Sequence, residues 1–378
     1  MIKLVNDTIS HEDIDALAEW LKTYPRLTMG NLTREFEEKW SKWLGVKHSV
    51  YVNSGSSANL MMLSAAKYLE GIETVAVPTL SWATDLAPVM QLDLDPVLID
   101  CNMDDLSVDL GHLEETFKYR RVDALILVSV LGLIPNMREI VRLCDKYDVL
   151  LLEDVCESMG SEYYGQKLGT FGAMSSFSLY FGHTISTIEG GFISTDDDAV
   201  YDTLKMLRSH GWSRDLGPER KQFLRDSADV DDFSELYTFY VPGFNLRATD
   251  LQAFIGLRQL EQLDSVIKKR SENFHYYKSA LDKVGLWTPK TTKEELISNH
   301  AYPVISPNKK DSVQMLQDAD IEVRPLIAGA MGKQPFYTEV YGELELPNAT
   351  IVDRDGFYIP NHPGLTKKDL DKIINNVI

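Results

Sequence analysis

A chain of 378 residues is long for one core, so two domains are expected, and 44% apolar with 25% charged residues excludes a disordered polymer. The 57 acidic against 38 basic side chains, a formal net charge of −19, oppose binding to nucleic acid or an anionic membrane, so a phosphate-bearing ligand must be met in a local pocket. Cys101, Cys144 and Cys156 form neither a disulfide framework nor a CxxC metal motif, and the sequence has no basic-then-apolar leader and no apolar run long enough to span a bilayer; the expectation is a reduced, cytoplasmic chain without a metal site.

From about Asn53 to Asp198 short apolar runs alternate with amphipathic stretches. The runs TVAVP, PVLID, DALILVSV, VLLLED and GGFIST read as strands, and MREIVRLCDKYD among the stretches between them reads as a helix. Such alternation predicts an α/β fold with a mainly parallel sheet covered by helices on both faces. Ligands of these sheets lie beyond the carboxyl ends of the strands, which directs attention to Pro78–Trp82, Glu153–Glu157 and Ser178–His183. The charged stretch 212–232 reads as an excursion or flexible loop. After it, ATDLQAFIGLRQLEQLDSVIKKRSENFHYYKSAL has the spacing of one long amphipathic helix, and the remainder mixes short strands and helices. The expected division is a large domain over 1–248, with an N-terminal arm of about 1–30, and a smaller α+β domain over 249–378.

The segment from Asn53 to Asn59, NSGSSAN, follows the strand-like SVYV and precedes a helix-like run; it is an anion site built from free N–H groups and hydroxyls, or a plain N-cap turn. Asp154 ends a buried strand, where a carboxylate can hold a pyridinium nitrogen protonated, bind a metal or cap a helix. Trp82 after TVAVP can stack on a heteroaromatic ring or fill a core. His183, in SLYFGH, is a catalyst or a satisfied structural histidine. Arg247, in GFNLRATD, is suited to a carboxylate or phosphate, or merely marks a loop-to-helix junction.

Taken in order, NSGSSAN, EDVCES, SFSLYFGHTISTIEGG, RSHGW and GFNLRATDLQA resemble the sugar aminotransferase family called DegT/DnrJ/EryC1/StrS, nearly end to end. The resemblance implies the aspartate aminotransferase fold (type I) and pyridoxal 5′-phosphate or its pyridoxamine form as cofactor. Ordinary members carry a cofactor-linking lysine where this sequence has His183, and histidine lacks the primary amine that link requires. The chain is in this respect similar to the family's histidine-bearing branch of nucleotide-sugar 3-dehydratases, as is the segment Arg324 to Gly329; the flanking YFGH and STIEGG favour a native histidine.

By that resemblance Trp82 stacks on the cofactor ring, Asp154 pairs with its nitrogen, and Ser56, Ser57 and Ser178 hold its phosphate. Asn245 reaches that phosphate from the neighbouring subunit of a homodimer, and Glu157 stands near the 3-hydroxyl. Arg247, His210 and Arg324 are expected to meet substrate or amino donor. His183 would then be the base in removal of the C3 hydroxyl from a nucleotide-linked 4-keto-6-deoxy sugar, GDP-4-keto-6-deoxymannose being the best-matched substrate and L-glutamate the amino donor. The alternatives are an aminotransferase using another amine and a non-catalytic binding relative; a branch with an iron–sulfur centre would need about four cysteinyl ligands where three scattered ones exist.

Overall fold

The computed structural model describes residues 1–377. Two helices precede the first strand. In α1 (His11–Leu21) the Ser10 hydroxyl accepts from the Asp13 N–H and the Asp13 carboxylate accepts from the Ser10 N–H, so two otherwise orphaned donors are satisfied. In α2 (Asn31–Leu44) Phe36, Trp40 and Leu44 fall at four-residue spacing and are all buried, and the helix stops at Gly45, whose φ of 90° suits glycine.

Strands and helices then alternate through β1 (His48–Val52), α3 (Gly55–Glu70), β2 (Thr74–Pro78), α4 (Ala83–Gln91), β3 (Asp95–Ile99), α5 (Leu110–Tyr119), β4 (Ala124–Val128), α6 (Met137–Tyr147) and β5 (Leu150–Asp154). A small hairpin, β6 (Glu162–Tyr163) and β7 (Gln166–Lys167), precedes β8 (Met174–Ser178), β9 (Gly191–Thr195) and α7 (Asp198–Arg208). The seven-stranded sheet runs β1-β9-β8-β5-β4-β2-β3. Only β9 is antiparallel to its neighbours, so the other six strands end on the edge where β9 begins. The α/β class with a mainly parallel sheet is as expected.

Each expected run became a strand within a residue or two. In the seven-stranded sheet β1 contains the strand-like SVYV, and β8 is the strand that no apolar run announced: it is serine-rich, yet fully buried, because its hydroxyls find partners inside. Ser175 Oγ donates to the Gly169 carbonyl at 2.7 Å and Ser176 Oγ to Asn59 Oδ1 at 2.5 Å. The stretch 212–232 is corrected as well, since it contains a helix, α8 (Pro218–Ala228). Gly217 and Pro218 start it, and none of its residues is buried, so no apolar periodicity announced it.

The long helix α9 (Asp250–Lys283) is capped by a reciprocal Thr249/Gln252 box. Beyond it, β10 (Glu295–Leu296) pairs with β6, and β11 (Ala301–Ile305), α10 (Lys309–Asp318), β12 (Arg324–Pro325), α11 (Pro335–Tyr341), α12 (Pro347–Asp355), β13 (Gly356–Pro360) and α13 (Lys367–Val377) follow. Strands β11, β13 and β12 form a separate antiparallel sheet. The N-terminal segment is tied to this part: Ile2 bridges to Ile321 and Leu4 N–H donates to Glu322. Under β1, β8 and β9 the core is aromatic, with Trp40 stacked on Phe192 at 4.5 Å, Phe36 and Phe177 edge-on to this pair, and Tyr51 tilted against Phe192. Among the described residues no helix is long and apolar enough to cross a membrane, and no three His, Cys, Asp or Glu side chains gather as a metal site.

Candidate active site

A cavity of about 960 Å³ opens at the carboxyl edge of the sheet. The chain order reverses between β2 and β4, the position where open parallel sheets form a crevice. Seven of the sequence-predicted residues line it: Ser56, Trp82, Asp154, Glu157, Ser178, His183 and Arg324.

One wall is the amino end of α3. The Ser54 hydroxyl accepts from the Ser57 N–H at 3.1 Å and donates to Ser57 Oγ at 3.0 Å, so Ser54 is the cap, while Ser56 faces the cavity. A Cβ on Gly55 would stand 2.7 Å from the Ser178 Cβ and 3.0 Å from Cys156 Sγ. Glycine is therefore what lets α3 close on the end of β8 and bring Ser56 and Ser178 to one wall of the cavity, whereas Ser57, its N–H and hydroxyl both engaged by Ser54, is not among the residues that line it. The segment is thus a capped turn whose amino end faces the cavity.

Asp154 is buried at the floor, with Oδ1 accepting from the Cys156 N–H at 2.8 Å and Oδ2 from the Asn59 amide at 2.6 Å. The same amide lies 3.1 Å from Oδ1 of fully buried Asp85. Burial, reinforced by the nearby Asp154 charge, drives the Asp85 carboxyl well above the usual carboxylate range. Asp85 also accepts from the Trp82 N–H at 3.0 Å, fixing the start of α4. Trp82 itself is 54% exposed. It is no core tryptophan; its ring is available for stacking.

Glu157 accepts from the Leu131 N–H at 2.7 Å, and burial nonetheless pushes its carboxyl up to about 7. His183 sits on the loop between β8 and β9, with Nδ1 2.5 Å from the Cys156 carbonyl. A carbonyl only accepts, so Nδ1 carries the proton and, in the neutral ring, Nε2 carries the lone pair. Burial lowers the imidazole below its ordinary value, so the free base prevails at neutral pH. Arg324, across the cavity, is exposed and paired with Glu322 at 3.0 Å.

Three predicted residues lie elsewhere. Asn245 is exposed and bridges to Ser209, the His210 N–H donates to the Phe244 carbonyl, and Arg247 lines a second cleft of about 560 Å³ with Arg26, Arg34, Arg214 and two tryptophans. Within one chain none of them reaches the first cavity. Conversely, the cavity is bordered by residues the sequence reading did not single out for the site, among them Lys3, Asp85, His300 and Tyr358. The isolated segment HAYPVIS gave His300 no chemical signal; only the fold sets its ring 5.1 Å from that of His183.

The DegT/DnrJ/EryC1/StrS aminotransferase family model matches residues 7–378. The chain belongs to this family. A GDP-4-keto-6-deoxy-D-mannose 3-dehydratase of Escherichia coli O55:H7 is 33% identical over 350 residues, 89% of each chain. A GDP-perosamine synthase of Caulobacter vibrioides is 29% identical over 95% of this chain and 93% of its own. A crystal structure of GDP-4-keto-6-deoxymannose 3-dehydratase with a trapped PLP–glutamate geminal diamine superposes on all of both chains with a TM-score of 0.91 at 28% identity. The family assignment accounts for the fold and for a sugar-modifying, PLP-dependent lineage.

Proposed function

We propose that this chain is a pyridoxal-phosphate-dependent dehydratase that removes the C3 hydroxyl of a nucleotide-linked 4-keto-6-deoxy sugar, with GDP-4-keto-6-deoxymannose as the substrate of first choice. The observation that carries the reading is His183, a neutral imidazole with Nε2 free at the position where related aminotransferases carry lysine.

The cavity residues fit the cofactor by chemistry. Ser56, Ser178 and the amino end of α3 would form an anion cradle, with Ser57 one residue further into the helix, Trp82 offers a flat face, and Asp154 offers a buried carboxylate for a protonated ring nitrogen. Glu157, poised near neutrality, can share a proton with a phenolic oxygen. When bound, the pyridine ring supplies an electron sink that makes a carbon acid reactive.

His183 would then take at Nε2 the proton of that carbon acid and hand it to the departing C3 hydroxyl, which leaves as water, since one imidazole serves both as base and, once protonated, as acid. Because Nδ1 stays committed to the Cys156 carbonyl, the proton is moved at a single, fixed atom. In the net exchange the sugar would lose its C3 oxygen to give a 3-deoxy-4-keto sugar, and L-glutamate would supply the two electrons and the nitrogen, leaving as 2-oxoglutarate and ammonia. Arg324 and Lys3 are cations of this chain that can meet an anionic group in the cavity, while Asn245, Arg247 and His210 would act on the site of a second copy in a cytoplasmic homodimer.

The second reading, a nucleotide-sugar aminotransferase, draws on the perosamine synthase relative and on Lys3, an amine at the cavity wall. Incubation with pyridoxal phosphate, L-glutamate and GDP-4-keto-6-deoxymannose separates the two. Ammonia release with a sugar lighter by one oxygen is the expected outcome, whereas nitrogen retained in the sugar makes the chain an aminotransferase.

A further inference from the structure

Arg270, midway along α9, is 2% exposed, yet no carboxylate lies within ion-pair distance of it among the described residues. Its guanidinium donates instead to backbone carbonyls: His183 at 3.1 Å, His300 at 2.8 Å, Asn299 at 3.4 Å, and Asn361. A buried cation is ordinarily matched by an acid, because desolvation is otherwise uncompensated. Here burial weakens the guanidinium's hold on its proton, bringing it down to about 10, still charged at neutral pH.

The four carbonyls come from three separate segments: the loop between β8 and β9, the residues before β11 and the residue after β13. Two of them belong to His183 and His300, both on the cavity wall. From this geometry we infer that Arg270 is the positioning residue of the site, clamping the His183 main chain from behind while the Cys156 carbonyl clamps its Nδ1, so that Nε2 is presented as a neutral base. The inference rests on His183 being the base.

Electrostatics act in the same direction. The titratable and charged groups around His183 are Asp154 from β5, Glu157 in the same cavity, His300 and Tyr180 with rings 5.1 and 6.1 Å away, and Arg270 behind the His183 main chain. Burial is the main cause of its lowered affinity for a proton, Asp154 opposes that, and Arg270 adds to it; Arg270 also adds to the stronger lowering at His300. A second positive charge in this pocket is thus disfavoured by a fixed one.

Two variants separate grip from charge. Arg270→Lys keeps the charge but cannot span four carbonyls; Arg270→Gln keeps a planar donor without charge. For Arg270→Lys, kcat should fall on the order of 10²-fold while KM and cofactor Kd stay within a factor of about three, the pattern of a misplaced catalytic group. For Arg270→Gln, NMR titration of the His183 imidazole in cofactor-free protein should move to higher pH, and the acid limb of kcat should move with it. An unmoved titration with undiminished kcat, a loss confined to cofactor affinity, or failure of both variants to fold would assign Arg270 to the core and overturn the inference. The imidazole titration needs no turnover. A wild-type protein that releases no ammonia therefore counts against the dehydratase reading, while an unmoved titration counts against Arg270.

Discussion

With Nδ1 committed to the Cys156 carbonyl, His183 can accept a proton only at Nε2, and everything required of it chemically follows from that constraint. His183→Asn keeps a polar group of similar reach but no basicity; kcat should drop by about 10²- to 10⁴-fold, the usual worth of a positioned base, while fluorescence titration finds cofactor affinity unchanged. The pH profile has a definite sign. Burial lowers the imidazole, so it stays unprotonated to more acidic pH than a free histidine, and the acid limb of kcat/KM should lie below about 6.5. Glu157, raised to about 7, should produce an alkaline limb as it loses its proton, and Glu157→Gln should flatten that limb and leave the acid one in place. Single residues were legible in the sequence where they end or closely follow a strand-like run: Asp154 closes β5, Trp82 comes four residues after β2, and His183 stands in a family motif. Asn59 closed the quoted NSGSSAN segment, but its partners Asp85, Asp154 and Ser176 are 26, 95 and 117 residues away, a distance no local pattern spans. Arg270 sat unremarked in a helical run because its meaning lies in four carbonyls the fold brings to it.

At the level of elements, the ends of helices build the site. Ser54→Ala removes the cap of α3 and should cost about 1 kcal/mol of stability, read as a lower denaturant midpoint. Gly55→Ala should cost more in function than in fold: the added methyl meets Ser178 and Cys156, pries α3 from β8, and should weaken cofactor binding well before the protein melts. The start of α4 carries a pH signature. Asp85 holds its proton more tightly folded than unfolded, so its contribution to stability is complete below its unfolded pKa of about 4 and is lost as pH rises through the higher folded value. Thermal midpoints should therefore decline toward alkaline pH in wild type, and the decline should be shallower in Asp85→Asn; parallel curves for the two proteins would rule this out. Periodicity made the regular elements readable, and it failed where burial is not written as hydrophobicity. Strand β8 hides serines by bonding them internally, and α8 has no buried face at all.

For the molecule as a whole, the acidic charge and the separation of Asn245 and Arg247 from the His183 cavity point the same way. A net −19 leaves little for an anionic sugar nucleotide to bind except local cations, and Arg26, Arg34, Arg214 and Arg247 gather in a cleft separate from the His183 cavity. Beside that cleft the stretch 233–239 exposes Phe233, Leu236, Tyr237 and Phe239, more apolar surface in one place than an isolated chain ordinarily leaves wet. Both features are explained if a second copy covers this face and lends Asn245 to the neighbouring cavity. Neither His183→Asn nor Asn245→Ala homodimers should then turn over. Mixed after reversible dissociation, they should recover about one quarter of wild-type activity, because half the dimers are mixed and each of those has one site with both native residues. If each chain supplied its own Asn245, every mixed site would retain a defect and mixing would restore nothing.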